Sequence, residues 1–335
     1  MPCAGLSTRF PNMRPKYLLM DYSGKLMIEN AVKNFIGKYR ITIVILKSHD
    51  EMFDAVNVLR RAFDDEVDIC IVDKPTKGPA DTVYQTLVRK DLVDDTPILI
   101  KDCDGFYDAD IVEGNAIYYS SLSANPDVRQ AGAKSYIICN NQDIVTSIVE
   151  KSIVSDKFCV GGYQFARATD FVETYECLAD SVNEIFVSDI IGSMMGAPHN
   201  IFKAAEVSNF VDVGTADEWF KYNDKPTYFV DIDGTIVKSK MMYDSEYVAL
   251  QENVDVLLKE LNRGCKIIFC TARPYGVYDV TRAMLDNLGF KFCQLIMEVH
   301  HSRRVIINDY ARTNPYPSAV AINIRRDEDR LGDFI

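Results

Sequence analysis

Short runs of β-branched and other apolar residues alternate with amphipathic stretches along most of this 335-residue chain. The runs lie at 41–46, 67–72, 97–102 and 134–139, and residues 50–63 carry apolar side chains at helical spacing. Alternation of this kind predicts βαβ units around a mostly parallel sheet. The chain is therefore expected to adopt an α/β fold.

The alternation pauses at residues 222–227, a polar stretch that contains a proline, and restarts with the apolar residues 228–230. A chain of this length is also too long for one average domain. We therefore expect two domains, 1–223 and 224–335.

Charge and composition exclude several classes of partner. The formal net charge of −12 argues against nucleic acid or an anionic membrane surface, because both select basic faces. No apolar run approaches the ~20 residues of a membrane helix, and the first residues lack the pattern of a signal peptide. The nine cysteines include no Cys-x-x-Cys pair, which is typical of reduced core thiols. We expect a cytoplasmic protein, and the sequence leaves a homo-oligomer open.

The clearest motif is Tyr228-Phe-Val-Asp-Ile-Asp-Gly-Thr-Ile236, a buried strand that ends in two aspartates one residue apart. Alternation along the strand places Asp231 and Asp233 on the same side. Gly234 allows a tight turn, and Thr235 can hold a phosphate oxygen. This arrangement suits phosphoryl transfer.

This segment resembles the first motif of the haloacid dehalogenase superfamily. The resemblance implies that Asp231 is the nucleophile that becomes an aspartyl phosphate and that Asp233 is the general acid/base. The strand 265–270 is followed by Thr271, which resembles the residue that binds the transferring phosphoryl group. A strand at 304–307 and the following Asn308-Asp309 resemble the acidic motif that completes a Mg²⁺ site.

The resemblance covers nearly all of 228–335 and implies that Asp231, Asp233 and Asp309 bind Mg²⁺. Asn308 stands where a second carboxylate is usual, and the phosphate-neutralising lysine has no clear equivalent. The candidates for that lysine are Lys291, Arg303 and Arg304, and His300 and His301 lie near them. The short segments between the three motifs leave no room for a cap domain, which predicts a capless Rossmannoid fold.

Residues 3–16 form a loop of small residues that carries Thr8 and Arg9 and ends in a Pro-Lys pair at Lys16. Backbone N–H groups and cations in such a loop can wrap the phosphates of a nucleotide. Further along, 98–105 is a buried strand that ends in two aspartates.

The two aspartates at the end of the strand 98–105 are Asp102 and Asp104. Another strand end supplies Asp212, and Glu150-Lys151 precedes the strand 160–165. Together with the loop they resemble the sugar-1-phosphate nucleotidyltransferase family over about residues 1–222. The resemblance implies a mixed, mostly parallel, Rossmann-like sheet and a Mg²⁺-dependent transfer that releases pyrophosphate.

The resemblance also implies roles for particular residues. They are Gly5, Arg9 and Lys16 for the triphosphate; Asp104 and Asp212 for the metal; Gly78 and Ala80, in the turn 78–81, for the base and ribose; and Lys151, Gly162 and Glu184 for the acceptor. Asp102 is left open between a metal ligand and a structural residue. If Asp104 and Asp212 share one ion, their carboxylates should lie within about 5 Å of each other and face Arg9 and Lys16.

Two departures stand out. Ser7 occupies a loop position that is often glycine, and only Met1-Pro2 stands where the family has a buried first strand. We expect either that the true start lies upstream or that the sheet lacks most of this strand, which would weaken the support of the loop.

The sequence thus predicts a bifunctional enzyme. One part would join CTP, UTP or dTTP to a sugar or polyol phosphate, and the other would hydrolyse a phosphomonoester, both in the supply of precursors for surface polysaccharide. Two alternatives stay open: a nucleotidyltransferase with a non-catalytic haloacid dehalogenase-like binding module, and a phosphatase with an inactive recruiting domain.

Overall fold

The computed structural model describes residues 1–128, 130–179, 185–197, 200–309 and 319–335. The chain divides into two compact units, Met1–Asn223 and Asp224–Ile335. No helix in the described ranges is both long and apolar enough to cross a membrane.

The first unit has the following described strands: β1 (Thr42–Leu46), β2 (Asp68–Val72), β3 (Ile98–Lys101), β4 (Gly105–Asp108), β5 (Asn115–Ser121), β6 (Tyr136–Cys139), β7 (Val145–Val149), β8 (Lys157–Phe165), β9 (Phe202–Glu206) and β10 (Ser208–Asp212). The strands predicted at 41–46, 67–72, 97–102 and 134–139 are confirmed by β1, β2, β3 and β6.

The largest sheet of this unit has the order β7-β6-β8-β5-β9, with β3 also paired to β8. The α/β fold and the mixed sheet are confirmed, but antiparallel pairs outnumber parallel ones. The reason is that β8 runs opposite to β3, β5 and β6, whereas β5–β9 and β1–β2 are parallel. Strand β10 pairs antiparallel with β4, which carries the end of β10 to the turn after β3.

Helices pack around these sheets. The described helices of this unit are α1 (Met27–Val32), α2 (Lys47–Phe53), α3 (Ala55–Ala62), α4 (Pro79–Arg89), α5 (Ala168–Ala179), α6 (Val187–Met194) and α7 (Ala216–Asn223). The helical spacing at 50–63 is confirmed by α2 and α3, which are separated at Asp54, where the backbone is left-handed with φ = 53°. Aspartate tolerates this conformation better than most residues, and it separates α2 from α3.

The first residues of the chain pair with β1 despite their small number. Pro2 forms a parallel bridge with Val44, the Cys3 N–H donates to the Val44 carbonyl at 2.8 Å, and the Val44 N–H donates to the Met1 carbonyl at 3.0 Å. Cys3 is buried in the same apolar cluster as Ile43. The loop that follows is therefore anchored to the sheet, contrary to the expected loss of support.

The second unit contains a three-stranded parallel sheet in the order β11-β12-β13. Its described elements are β11 (Thr227–Val230), α8 (Gln251–Asn262), β12 (Lys266–Cys270), α9 (Tyr278–Asn287) and β13 (Gln294–Ile296). Its apolar core joins residues of the strands to α8 and α9, with Phe269 stacked edge-on against Phe290.

The strand predicted at 304–307 is wrong. These residues form no ladder, and Val305, Ile306 and Ile307 are exposed. The place beside β12 is taken by β13, so the β-branched run has no partner strand among the described residues. High β propensity does not form a strand without such a partner.

Candidate functional sites

The first unit holds a cavity of about 510 Å³ between the loop 3–16, the turn after β3, the start of α4 and the end of β10. Six of the residues to which the resemblance gives a definite role line it: Gly5, Arg9, Lys16, Gly78, Asp104 and Asp212. One cavity therefore gathers the residues predicted for the triphosphate, the base and the metal.

The loop 3–16 is shaped by its own hydrogen bonds. Ser7 has φ = 51°, and its Oγ accepts a hydrogen bond from the Lys16 N–H at 3.1 Å. Left-handed backbone explains why glycine is common at such a position, and the serine adds a contact that fixes Lys16. A Cβ built on Gly5 would meet no described atom within 4 Å, so the loop offers bare backbone to the cavity there.

Asp104 is the carboxylate that the cations of the loop 3–16 contact. Its Oδ2 accepts hydrogen bonds from Lys16 Nζ at 2.6 Å and from Arg9 at 3.3 Å. Burial opposes ionisation, but the charges of Lys16 and Arg9 outweigh it and hold the pKa of Asp104 below its usual range. Burial also acts to lower the pKa of Lys16, but Asp104 outweighs it and raises that pKa. Both groups are therefore ionised at neutral pH.

Asp212, at the end of β10, lies beside Asp104. A Cβ built on Gly214 would lie 3.2 Å from one carboxylate oxygen of each aspartate, and 3.3 Å from Arg9. The two oxygens are thus separated by at most twice 3.2 Å. The structure brings Asp104 and Asp212 together on the side of the loop that carries Arg9.

Lys134 was missed in the sequence. Its ammonium forms an ion pair with Asp212, and it lines the cavity. Its Nζ lies over the rings of Phe158 and Phe210, 5.6 and 5.7 Å from their centroids. No motif marks the position, because Lys134 precedes strand β6 rather than ending a strand.

Asp102 and its neighbour Lys101 hold the turn that presents Asp104. The buried Lys101 Nζ donates to the carbonyls of Asp102 at 2.7 Å and Gly105 at 2.5 Å, and burial lowers its pKa to about 8. Asp102 lies against Gly161, whose φ is +73° and where a Cβ would come within 2.5 Å of the carboxylate. Burial, and then Asp104, raise the pKa of Asp102. These contacts support a structural role for Asp102, although it lines the cavity.

A further wall is built from β6, β7 and α6. The Glu150 carboxylate accepts hydrogen bonds from the hydroxyls of Ser135 and of Ser188, the latter at 2.7 Å. All three residues line the cavity. The resemblance pointed to the Glu150-Lys151 pair but gave the role of binding the acceptor to Lys151.

Lys151 is not among the described residues that line the cavity. Its ammonium lies over the ring of Phe186, 4.3 Å from the centroid, and the residue is exposed. Glu184, the third residue predicted for the acceptor, lies outside the described residues.

Two predicted binding residues face away from the cavity. Ala80 is fully buried in the apolar core, while Gly78 and Thr82 of the same segment line the cavity. Gly162 packs against Tyr107, and its neighbour Gly161 lines the cavity instead. The reason for the second shift is an irregularity in β8: Tyr118 pairs with Gly162 and Tyr119 with Cys159, so two residues of β8, Gly161 among them, lie outside the ladder with β5.

In the second unit, Asp231 and Thr271 follow neighbouring parallel strands. Val230 pairs with Phe269, so both residues come from the carboxyl end of the sheet. Asp231 Oδ1 accepts a hydrogen bond from Arg304 at 2.9 Å. Burial raises the pKa of Asp231 against the opposing effect of Arg304.

Arg273, which the sequence did not single out, holds Asp233. Its guanidinium donates to the two Asp233 oxygens at 2.9 and 2.7 Å, with a third bond to Thr281 at 3.1 Å. The Arg273 side chain is 3% exposed and that of Asp233 20%. The Thr271 hydroxyl is buried and accepts the Arg273 N–H at 3.2 Å.

Asp309 lies in the exposed segment after the missing strand. Among the described residues, no three His, Cys, Asp or Glu side chains gather where they could hold one metal ion. Asp309 therefore does not complete a three-carboxylate centre with Asp231 and Asp233. Of the candidates for the missing lysine, Arg304 contacts Asp231, while Lys291, Arg303, His300 and His301 are exposed.

The last described segment folds back on the loop after β11. Asn253 of α8 is fully buried; its amide donates to the carbonyls of Thr235 at 2.8 Å and Glu328 at 2.9 Å, and accepts the Leu331 N–H at 2.7 Å. The hydrogen bond from Asn253 thereby fixes the backbone of Thr235.

The same segment also caps helix α8. Leu250, the residue before the helix, offers no side-chain acceptor. Asp329 instead accepts hydrogen bonds from the N–H groups of Glu252 at 3.2 Å and Asn253 at 2.8 Å. A carboxylate at this end of a helix stabilises it.

No family model and no curated protein matches the chain. Solved structures do resemble it. A nucleoside-diphosphate-sugar pyrophosphorylase from Vibrio cholerae is 18% identical with a TM-score of 0.57, over 67% of this chain and 98% of that one. A Bacillus anthracis protein assigned as a glucose-1-phosphate thymidylyltransferase is 20% identical with a TM-score of 0.54, over 66% and 91%. The likeness shows a mixed α/β, nucleotidyltransferase-like fold over two thirds of the chain, about the share that residues 1–223 represent.

Proposed function

We propose that the first unit is a nucleotidyltransferase that joins CTP, UTP or dTTP to a sugar or polyol phosphate and releases pyrophosphate. The observation that carries the proposal is the pair of carboxylates, Asp104 and Asp212, that share one cavity wall with Arg9 and Lys16. Of the two solved structures that share the fold, one is named as a nucleoside-diphosphate-sugar pyrophosphorylase and the other is assigned as a glucose-1-phosphate thymidylyltransferase, which supports a sugar phosphate as acceptor.

The reaction needs a phosphate oxygen of the acceptor to bond to the α-phosphorus while the bond to the β-phosphate oxygen breaks. The pyrophosphate leaves with the electron pair of that bond. The loop around Gly5 supplies backbone groups for the triphosphate, and Arg9 and Lys16 neutralise its charge. The turn at Gly78 and Thr82 lies at the same cavity and would contact the nucleoside.

The carboxylates of Asp104 and Asp212 suit Mg²⁺, which prefers oxygen ligands and is held by one or two carboxylates together with substrate phosphates. Mg²⁺ bound there would supply Lewis-acid charge to the α-phosphate. The cations that pair with these aspartates, Lys16 and Lys134, line the same cavity.

The test is a screen of the four common nucleoside triphosphates against sugar and polyol phosphates, scored by pyrophosphate release with Mg²⁺. We expect release with one pyrimidine nucleotide and one acceptor class, and its loss in Asp104→Asn and Asp212→Asn variants of the full chain. Full activity in both variants would contradict the proposal.

For the second unit we propose hydrolysis of a phosphomonoester through an aspartyl phosphate on Asp231. The supporting observation is that Asp231 and Thr271 end neighbouring parallel strands, where ligands of open α/β sheets bind. Asp233 and Thr235 follow on the same loop. The alternative is a unit that binds phosphate esters without turnover.

Hydrolysis of an aryl phosphate by the full chain separates these two functions. Asp231→Asn should abolish it, and Asp233→Asn should slow it by about 10²- to 10⁴-fold. Hydrolysis at the wild-type rate in Asp231→Asn would remove the unit from this class of phosphatase, and no hydrolysis by the wild type would favour the binding module. Both proposals fit an enzyme that supplies activated precursors for surface polysaccharide.

A further inference from the structure

Lys134 occupies a place in the cavity that the proposed function does not yet use. Its side chain is 17% exposed, its ammonium pairs with Asp212, and the same ammonium lies over the rings of Phe158 and Phe210, which pack edge-on against each other. A lysine held by two rings loses little further freedom when it binds a ligand.

Each of the two carboxylates has its own lysine. Lys16 pairs with Asp104 and belongs to the loop that would hold the triphosphate. Lys134 pairs with Asp212 and belongs to the wall built from β6, β7 and α6, which also carries Glu150. The cations of the cavity are thus divided between two walls.

The chemistry requires such a division. In a displacement at phosphorus the attacking and leaving oxygens lie roughly in line, so the acceptor and the pyrophosphate occupy different sides of the α-phosphate. An acceptor that carries a phosphate must also approach a triphosphate of like charge. A cation on the acceptor wall removes that repulsion.

Resting on the proposed function, we propose that Lys134 is the residue that binds the phosphate of the acceptor. Lys151, to which the resemblance gives this role, has its ammonium over Phe186 and does not line the cavity. Lys134 also holds Asp212 when no ligand is present. A divalent ion held by Asp212 would free the lysine to contact the acceptor phosphate.

The central test is Lys134→Met in the full chain, because methionine keeps an unbranched side chain next to the two rings and removes the charge. We expect the KM for the acceptor to rise about 10- to 100-fold, the scale of a lost hydrogen bond to a charged group, with the KM for the nucleotide nearly unchanged. Lys134→Arg, which keeps the charge, should restore most of the acceptor affinity.

A second readout does not depend on turnover. Without substrates, Lys134 competes with a divalent ion for Asp212, so Lys134→Met should bind Mn²⁺ several-fold more tightly in a paramagnetic resonance titration. Tighter binding of the metal together with weaker binding of the acceptor is the result expected if Lys134 holds Asp212 and binds the acceptor phosphate. A residue that merely stabilises the fold would weaken both.

Lys157→Met is the matched control, because Lys157 also lies over an aromatic ring, that of Tyr119, and pairs with Asp143, but does not line the cavity. It should change neither readout. An unchanged acceptor KM in Lys134→Met, or a rise confined to Lys151→Met, would overturn the proposal for Lys134 alone. A wild-type chain that releases no pyrophosphate with any pair would overturn the proposed function and this inference with it.

Discussion

The ion pair between Arg273 and Asp233 provides a quantitative test of the second site. Arg273→Met removes two hydrogen bonds to the Asp233 carboxylate and the bond to Thr281. It leaves a carboxylate that is only 20% exposed without its partner. Breaking a buried pair in this way costs about 3–5 kcal/mol. Because water reaches part of Asp233, we expect the lower end, about 3 kcal/mol.

Asp233→Asn should cost at least as much, because Arg273 is 3% exposed and its charge would be left with little access to water. The double variant removes both charges. We therefore expect its destabilisation to fall short of the sum of the single variants by about 2 kcal/mol, within the range measured for residues in one polar network.

Peptide-resolved hydrogen exchange of the strand β12 is the suitable assay. The only tryptophan, Trp219, lies in the first unit, so its emission does not report directly on residues 224–335. Additive effects of the two substitutions, or a cost below about 1 kcal/mol for Arg273→Met, would refute the view that the pair fixes Asp233 for its role.

Three further outcomes are expected. Lys16→Ala should lower pyrophosphate release about 100-fold or more, because Asp104 loses its nearest cation, and should leave aryl phosphate hydrolysis unchanged; loss of both activities would contradict separate sites. Asn253→Leu removes three hydrogen bonds and should destabilise the second unit by about 3 kcal/mol in hydrogen exchange, and a loss below about 1 kcal/mol would contradict this. Burial lowers the pKa of Lys101 to about 8, below its value of about 10.4 in the unfolded chain. Between these values the unfolded state binds the extra proton, so this lysine makes stability rise with pH by up to about 1.4 kcal/mol per unit. The rise should be absent in Lys101→Met when unfolding is followed through Trp219 at about pH 8 and pH 10, and equal slopes in both proteins would count against it.

Residues at strand ends were the most predictable from sequence. Asp104, Asp212 and Asp231 each end an apolar run, and the topology of an open sheet brings such ends together. The loop at Lys16 was predictable for a similar reason, because its small residues and cations are contiguous.

Contacts made by isolated residues were not predictable. Lys134 and Arg273 meet their aspartates 78 and 40 residues away in sequence, and neither is part of a repeating pattern. Gly161 lines the cavity in place of Gly162 because of the irregularity in β8, which is visible only from the pairing of the strands. The strand predicted at 304–307 was wrong because strand formation depends on an available neighbouring strand and not on propensity alone.

The cap of α8 has a consequence for the order in which the second unit is made. The helix receives its first-turn acceptor from Asp329, 76 residues after Asn253. On the ribosome, the strands β11, β12 and β13 emerge well before Asp329 and Leu331 do. The contacts of Asn253 with Glu328 and Leu331 therefore form only after translation has passed the whole sheet, and a nascent chain halted before that point would lack these contacts behind the loop that carries Asp231.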